Sequence, residues 1–253
     1  MNRRQSLTVV CGAGLGVMLG GSARAQMRAY TVGATATGIP FSYLDPKTNT
    51  MQGAMVDAVR FVAADAGFGV NIQTVPFASL IPALTESRID IIGAAMLITT
   101  PRREVIDFSD PVFAYPEGLV VNITDKTPYR ALADLRGKVV GAQTGTVYVD
   151  FLRRGGDFAE IKLYPSLADI LREISQNRLI AAVGDGPILA YQLAQNVSYR
   201  ARLVATYEPK LSGSLGFGVR KGDGELLAKI NDALAKLRAD GTLDKIVARW
   251  NLR

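Results

Sequence analysis

From Tyr30 onward, short runs of apolar and β-branched residues alternate with longer segments in which apolar residues recur every three or four positions. The short runs fit buried β-strands, and the longer segments fit amphipathic helices. Regular alternation of the two predicts an α/β fold. Strands are predicted at 29–34, 70–75, 89–95, 119–123, 139–143, 161–164, 181–184, 203–206 and 216–220.

The predicted helices are bounded by residues that suit helix ends. The helix over 55–66 is expected to stop before Gly67, because glycine readily adopts the left-handed dihedral angles of a helix terminus. Ser79 and Ser166 each precede an apolar turn, so each is predicted to cap the helix that follows. Near the C-terminus, the apolar spacing predicts a long helix over 225–239 and a last, shorter one after it.

The middle of the chain contains signals for a change of lobe. A proline-rich turn precedes the strand predicted at 119–123, and a linker-like segment follows that strand. A small α/β lobe does not easily absorb every later element, so the chain is expected to return to the first lobe. Two crossings between lobes make a hinge. The predicted lobes are 26–116 plus 212–253 for the first and 117–211 for the second.

Residues 1–25 have the layout of a signal peptide. Early arginines precede an apolar run over 7–20, and Ala23 with Ala25 forms the small-residue pattern that a signal peptidase accepts. Export to the periplasm with cleavage after Ala25 is therefore expected. A membrane anchor is the alternative, but the apolar run is shorter than the roughly 20 residues that a bilayer core needs. The arginine pair leaves the twin-arginine export route open.

Composition excludes several kinds of chemistry. The chain has no histidine, and its one cysteine, Cys11, lies in the apolar run of the predicted signal peptide. Ser–His and Cys–His nucleophiles and ordinary zinc sites are therefore excluded, and neither a metal nor a cofactor is expected. Of 29 basic and 23 acidic residues, three arginines precede position 26, so the mature chain carries 26 minus 23, or +3. This excess is too small to indicate a nucleic-acid partner.

Several short motifs follow one another along the predicted mature chain. They are Pro40-Phe41, LIPAL at 80–84, IDII at 89–92, ITTPR at 98–102, DFSDP at 107–111, LADLRGK at 132–138, QTGT at 143–146, VGD at 183–185, VRKGD at 219–223 and LRADGTLDKI at 237–246. In this order they resemble the periplasmic amino-acid-binding proteins of ABC transporters, solute-binding protein family 3. The resemblance implies a type II periplasmic-binding-protein fold, in which two α/β lobes are joined by a two-crossing hinge.

The resemblance also implies where a ligand is held between the lobes. Family members bind the α-carboxylate of the ligand with an arginine, and the Ile-Thr-x-x-Arg pattern places that arginine at Arg102. A guanidinium suits the role because its parallel N–H donors match a carboxylate. Thr99 and Thr146 correspond to residues that meet the same carboxylate from opposite lobes. Asp185 corresponds to the acid that pairs with the amino group of the ligand.

The chain departs from the family at three positions that are implied to contact the ligand. Gly38 stands where an aromatic residue is usual, Ala54 stands inside the usual Gly-Phe-Asp motif, and Leu97 replaces a hydroxyl residue. The expected pocket is therefore wider and more apolar than the pocket of a glutamine- or arginine-binding relative.

Three tyrosines could refill that space, and Gln143 could contact the side chain of the ligand. Gln143 and Tyr148 lie beside the Gly-Thr turn, and a turn that lines a cleft is a usual place for ligand contacts. Both are therefore expected to approach the ligand. Tyr43 and Tyr115 are expected to pack against neighbouring side chains instead.

The expected function is binding without chemistry. The protein is expected to capture an amino acid or a related small carboxylate as a monomer and to deliver it to an ABC-transporter permease. The first alternative is a cyclohexadienyl or arogenate dehydratase, because some proteins of this architecture are such enzymes. Those enzymes carry an acidic residue just after the Gly-Thr turn, where this chain has Val147 and Tyr148. The second alternative is a ligand-sensing domain, which is normally fused to a membrane or signalling segment.

Overall fold

The structure is a computed structural model that describes residues 27–252, so the predicted signal peptide and Cys11 lie outside the described residues. The strands are β1 (Ala29–Ala34), β2 (Thr37–Gly38), β3 (Ser42–Asp45), β4 (Thr50–Gln52), β5 (Gly69–Thr74), β6 (Ile91–Ile92), β7 (Ile106–Phe108), β8 (Phe113–Asn122), β9 (Val139–Gln143), β10 (Glu160–Tyr164), β11 (Ala181–Asp185), β12 (Ala201–Leu203), β13 (Ser212–Leu215) and β14 (Gly218–Arg220). The helices are α1 (Ala54–Ala66), α2 (Leu80–Thr85), α3 (Thr100–Val105), α4 (Val147–Gly155), α5 (Leu167–Ser175), α6 (Gly186–Gln195), α7 (Gly224–Ala239) and α8 (Thr242–Arg249). Within residues 27–252, none of the helices combines the length and the apolar character needed to cross a membrane.

The first lobe is built on a sheet with the strand order β5, β1, β6, β14, β7. Strands β5, β1 and β6 are parallel, whereas β14 is antiparallel to both of its neighbours. Helix α1 packs with α7 and α8, and its face of Met55, Val59 and Val62 is fully buried. It ends at Gly67, whose φ of 73° gives the left-handed terminus that the sequence predicts.

The second lobe is built on a sheet with the strand order β10, β9, β11, β8, β12. Strands β10, β9 and β11 are parallel, and β8 is antiparallel to β11 and β12. The cap predicted at Ser166 is confirmed, because its hydroxyl accepts a hydrogen bond of 3.2 Å from the amide of Asp169. Two sheets with covering helices confirm the α/β class and the two-lobed architecture.

Strands β8 and β13 connect the two lobes. The first four residues of β8 pair with β13, and the rest of β8 pairs inside the second sheet. At the change between these partners lies Glu117, which is 2% exposed. Its carboxylate accepts hydrogen bonds from the amides of Lys210 (2.6 Å) and Leu211 (2.8 Å) and from the hydroxyl of Tyr207 (3.1 Å). Glu117 therefore ties β8 to the segment that enters β13.

Replacing Glu117 by alanine is expected to lower the free energy of unfolding by about 3 kcal/mol, because three donors would lose a buried, charged acceptor. Chemical denaturation measures the loss. Glu208→Ala is the matched control, since that carboxylate is exposed and its removal should cost less than about 0.5 kcal/mol. Equal losses in the two variants would show that Glu117 does not hold the hinge.

Three local predictions are wrong. The strand predicted over 203–206 lies earlier, at Ala201–Leu203, where the chain pairs with β8. Ser79 does not cap α2, because its φ of −96° and ψ of −4° are helical whereas a capping residue needs an extended backbone. The strand predicted over 89–95 is reduced to Ile91–Ile92. Only Ile91 and Ile92 pair with the neighbouring strands β1 and β14. The buried residues that follow them connect β6 to α3 without pairing in the sheet.

Candidate ligand-binding cleft

Arg102 projects from the first lobe onto the second. Helix α3 begins after Thr99, whose hydroxyl accepts a hydrogen bond of 3.4 Å from the amide of Arg102. The guanidinium donates to the carbonyl oxygen of Leu97 (2.6 Å) in its own lobe and to that of Gly145 (3.0 Å) across the cleft. Its carbon lies 5.7 Å from the centre of the Phe77 ring. The guanidinium thus forms hydrogen bonds with both lobes inside the cleft.

The surroundings of Arg102 favour an anion. Burial lowers the pKa of Arg102 from its ordinary value, and the negative charge of Asp185 acts in the opposite direction. A guanidinium stays protonated at neutral pH and has five N–H donors. Among residues 27–252, its side chain donates to only the two carbonyl oxygens of Leu97 and Gly145. A carboxylate is therefore a favourable further neighbour.

Asp185 is the buried acid on the second-lobe side of the cleft. It ends β11, precedes α6 and is 7% exposed. Its Oδ1 atom accepts hydrogen bonds from the hydroxyls of Tyr115 (2.5 Å) and Tyr148 (3.0 Å). Burial raises the pKa of Asp185 above its ordinary value, and the two hydroxyls and Arg102 offset part of that rise. The same burial, with Asp185 nearby, raises the pKa of both tyrosines well above the ordinary value.

The turn between β9 and α4 forms the second-lobe wall of the cleft. The hydroxyl and the amide of Thr146 both donate to the carbonyl oxygen of Gln143, at 2.7 and 3.2 Å. The side chain of Gln143 donates to the carbonyl oxygen of Pro165 (3.1 Å). Gly145 has a φ of 79°, and a Cβ atom placed on it would lie 2.8 Å from the Cα atom of Ala78 in the first lobe. The lobes therefore touch at this turn.

A small cavity of about 20 Å³ lies between the lobes, with Gly38, Gln143 and Asp185 among its lining residues. That volume has room for about one water molecule. A second cavity of about 370 Å³ shares with it Thr35, Thr37, Phe77 and Gln143. The two cavities therefore adjoin each other at these four residues.

The structure brings most of the predicted site residues to this cleft, but it changes the role of two. Ala54 does not line the cleft: it is fully buried in the core at the start of α1, and its amide donates to Pro40. Leu97 contributes its carbonyl oxygen, while its side chain lies where a Cβ atom on Gly213 would be 2.8 Å away. Leu97 thus packs against hinge strand β13 and does not widen the pocket.

The prediction for Tyr115 is incomplete. Its ring does pack, with a centroid distance of 5.2 Å to Phe41, but its hydroxyl also binds Asp185. Phe77, Thr35 and Thr37 were not predicted as site residues. Phe77 lies three residues before the LIPAL motif, and this proximity was the one signal in the sequence that could have identified it as a site residue. The two threonines lie around β2, where no pattern in the sequence separates cleft residues from an ordinary exposed hairpin.

The two sheets, the double crossing, and the cation and acid that face each other between the lobes define a two-lobed solute-binding protein. The sequence model of the bacterial extracellular solute-binding proteins, family 3, matches residues 30–253. The chain belongs to this family.

Individual relatives support the same assignment. A probable histidine-binding protein of Neisseria gonorrhoeae is 31% identical over 227 residues, which cover 88% of this chain and 83% of the relative. A solved structure of an ancestral arginine-binding protein bound to arginine is 32% identical, with a TM-score of 0.80, and the match covers 89% of this chain and 99% of that one.

A third relative bears on the enzyme alternative. It is the ancestral amino acid-binding protein AncCDT-1, a precursor of cyclohexadienyl dehydratase, which is 29% identical with a TM-score of 0.76. The match covers 88% of this chain and 94% of that protein. Even this relative is described as a binding protein, and the present chain is likewise a binding protein and not an enzyme.

Proposed function

We propose that the protein closes its two lobes on an amino acid or a related small carboxylate and delivers it to the permease of an ABC transporter. The observation that carries the proposal is the pairing of Arg102 with the second lobe, at 3.0 Å from the carbonyl oxygen of Gly145, next to the buried Asp185. The names of the relatives, which include histidine- and arginine-binding proteins, support the ligand class.

Within this proposal, each lobe holds one part of the ligand. Arg102 and Thr99 of the first lobe bind the carboxylate, and Asp185 of the second lobe binds the amino group. Thr146 meets the carboxylate from the second lobe by exchanging its hydrogen bonds to Gln143 for bonds to the ligand. A ligand that contacts both lobes stabilises the closed form by its difference in affinity for the two forms.

The limits of the lobes and the size of the ligand belong to the same proposal. The crossings in β8 and β13 support a first lobe of 26–116 plus 212–253 and a second lobe of 117–211. The cavity of about 370 Å³ beside the cleft supports a ligand that is bulkier than glutamine beyond its carboxylate. Gly38 lines the small cavity beside Asp185, and the ring that relatives carry at this position would reduce the space there.

The direct test is Asp185→Asn, which removes the charge but keeps an oxygen that accepts from the two tyrosines. A thermal-shift screen of amino acids first identifies a ligand, because binding to the folded state raises the melting temperature. Calorimetry is then expected to show at least about tenfold weaker binding of that amino acid. Undiminished binding would show that the ammonium group of the ligand does not lie at Asp185 and would refute this arrangement of the ligand.

Processing of the N-terminus is a separate prediction. Cleavage after Ala25 is expected to give a mature protein that begins at Gln26 and is found in the periplasm. Mass spectrometry of periplasmic and cytoplasmic fractions checks both points. Periplasmic protein that retains Met1 would contradict the prediction, and Ala25→Arg is expected to block cleavage and serves as the control.

A further inference from the structure

Two tyrosine hydroxyls converge on a single oxygen of Asp185. Tyr115 and Tyr148 are 5% and 1% exposed, and their hydroxyls lie 2.5 and 3.0 Å from Oδ1. Within residues 27–252, Oδ2 of the same carboxylate accepts no hydrogen bond from another residue, and Asp185 lines the cleft cavity. The protein therefore binds one oxygen of the carboxylate and leaves the other for the cleft.

This arrangement changes the role that a ligand amine plays. Burying a carboxylate without a partner costs free energy. If the ligand has to supply that partner, the cleft rejects ligands without an ammonium group. Here the groups that face Asp185 are Arg102 from α3, Tyr115 from β8 and Tyr148 from α4. Hydrogen bonds to a charged group are about twice as strong as neutral ones, so two hydroxyls compensate the carboxylate substantially before any ligand arrives.

We propose that Tyr115 and Tyr148 determine the specificity of the cleft: by binding Oδ1 of Asp185 they make the ligand ammonium dispensable, so the protein accepts carboxylates without an α-amino group as well as amino acids. The proposal rests on the placement of the ligand amine at Asp185 given above. It extends the ligand class to 2-hydroxy and unsubstituted carboxylic acids whose distal part fits the same cavity.

The two tyrosines support Asp185 from different sides of the lobe boundary. Tyr148 and Asp185 both belong to the second lobe, so their hydrogen bond does not depend on closure. Tyr115 belongs to the first lobe, where its backbone pairs with Gly213, but it lies only two residues before Glu117, whose backbone pairs with Asp185. Tyr115 is thus at the crossing itself, where rotation about the hinge changes distances least, and Asp185 has donors besides the ligand cation.

The experiment compares Tyr115→Phe and Tyr148→Phe with the wild type. The probes are the standard amino acids and, for each, the acid of the same carbon skeleton without the amino group. Calorimetry gives the affinity ratio for the best-bound pair. Each variant is expected to raise the preference for the amine-bearing member by about tenfold or more, because its Asp185 depends more on the ligand ammonium.

Tyr207→Phe is the matched control, since it removes a tyrosine–carboxylate bond at Glu117, outside the cleft. It is expected to leave the ratio unchanged. Nuclear magnetic resonance titration of the Asp185 carboxyl in the ligand-free proteins is a second readout, and its midpoint should move to higher pH in both cleft variants only. A purely structural role would lower stability and move neither quantity.

The outcomes separate this proposal from the one on which it rests. An unchanged ratio together with an unchanged Asp185 titration overturns the role of the tyrosines, even if Asp185→Asn weakens amino-acid binding. Full amino-acid affinity in Asp185→Asn overturns the placement of the amine and the specificity proposal with it. A wild type that binds amino acids and rejects every amine-free acid also overturns the specificity proposal.

Discussion

Replacing Arg102 by alanine is expected to weaken ligand binding by roughly thirtyfold to several thousandfold. The range corresponds to a loss of about 2–5 kcal/mol, which is typical when one partner of a buried charged pair is removed. The ligand carboxylate would lose its cation, and the carbonyl oxygens of Leu97 and Gly145 would lose their donor. Calorimetric titration with the ligand identified by thermal shift measures the change.

Arg103→Ala is the matched control for this variant. Arg103 is the next residue on α3 and is exposed, so its removal changes the net charge equally without touching the cleft. Its affinity is expected to stay within about twofold of the wild type, because exposed charges contribute little. The ligand affinity of Arg102→Lys should lie between the affinities of Arg102→Ala and Arg103→Ala, since a lysine keeps the charge but lacks paired donors. Wild-type affinity in Arg102→Ala would contradict the proposed grip on the carboxylate.

A single methyl group at position 145 is expected to prevent full closure. The added Cβ atom in Gly145→Ala would lie 2.8 Å from the Cα atom and 3.0 Å from the Cβ atom of Ala78, and backbone does not move aside easily. Because the contact joins residues of different lobes, opening the cleft would separate them, so ligand affinity should fall by more than about tenfold. Small-angle scattering is expected to show that the ligand no longer reduces the radius of gyration as it does in the wild type.

Gly137→Ala separates obstruction from backbone strain. Gly137 has a φ of 70°, close to the 79° of Gly145, but a Cβ atom on it would meet nothing within 4 Å. Both variants are expected to lose about 1–2 kcal/mol of stability, the cost of a left-handed residue with a side chain. Only Gly145→Ala should also lose affinity. An equal loss of affinity in both would assign the effect to strain and not to the contact between lobes.

The bounds of two parallel strands inside the sheets were predictable from the sequence, whereas a short strand that depends on its pairing partner was not. Both ends of β1 and β9 agree with the prediction because parallel strands inside a sheet form continuous apolar runs. Strand β13 has the sequence SGSL, which has little apolar character. It is a strand because β8 lies beside it, and such tertiary pairing overrides local preference.

The site shows the same division between local and long-range information. Thr99 and Arg102 lie three positions apart and were placed by one motif. The bond between Tyr115 and Asp185 joins residues that are 70 positions apart, and no local spacing encodes it. Ala54 illustrates a different limit: a motif fixes the position of a residue along the chain, but the direction of its side chain depends on how α1 packs.

The order of strands in the first sheet has a consequence for how the protein is assembled. Strand β14 lies between β6 and β7, and within residues 27–252 it is the only strand that pairs with β7. Helix α7, which covers α1, comes later still. In a chain that emerges from its N-terminus onward, the segments of β9, β10 and β11 are available before β14, so their sheet can form while β7 still lacks its neighbour. The lobe that the chain begins first can thus be completed only after its C-terminal strand and helices have arrived.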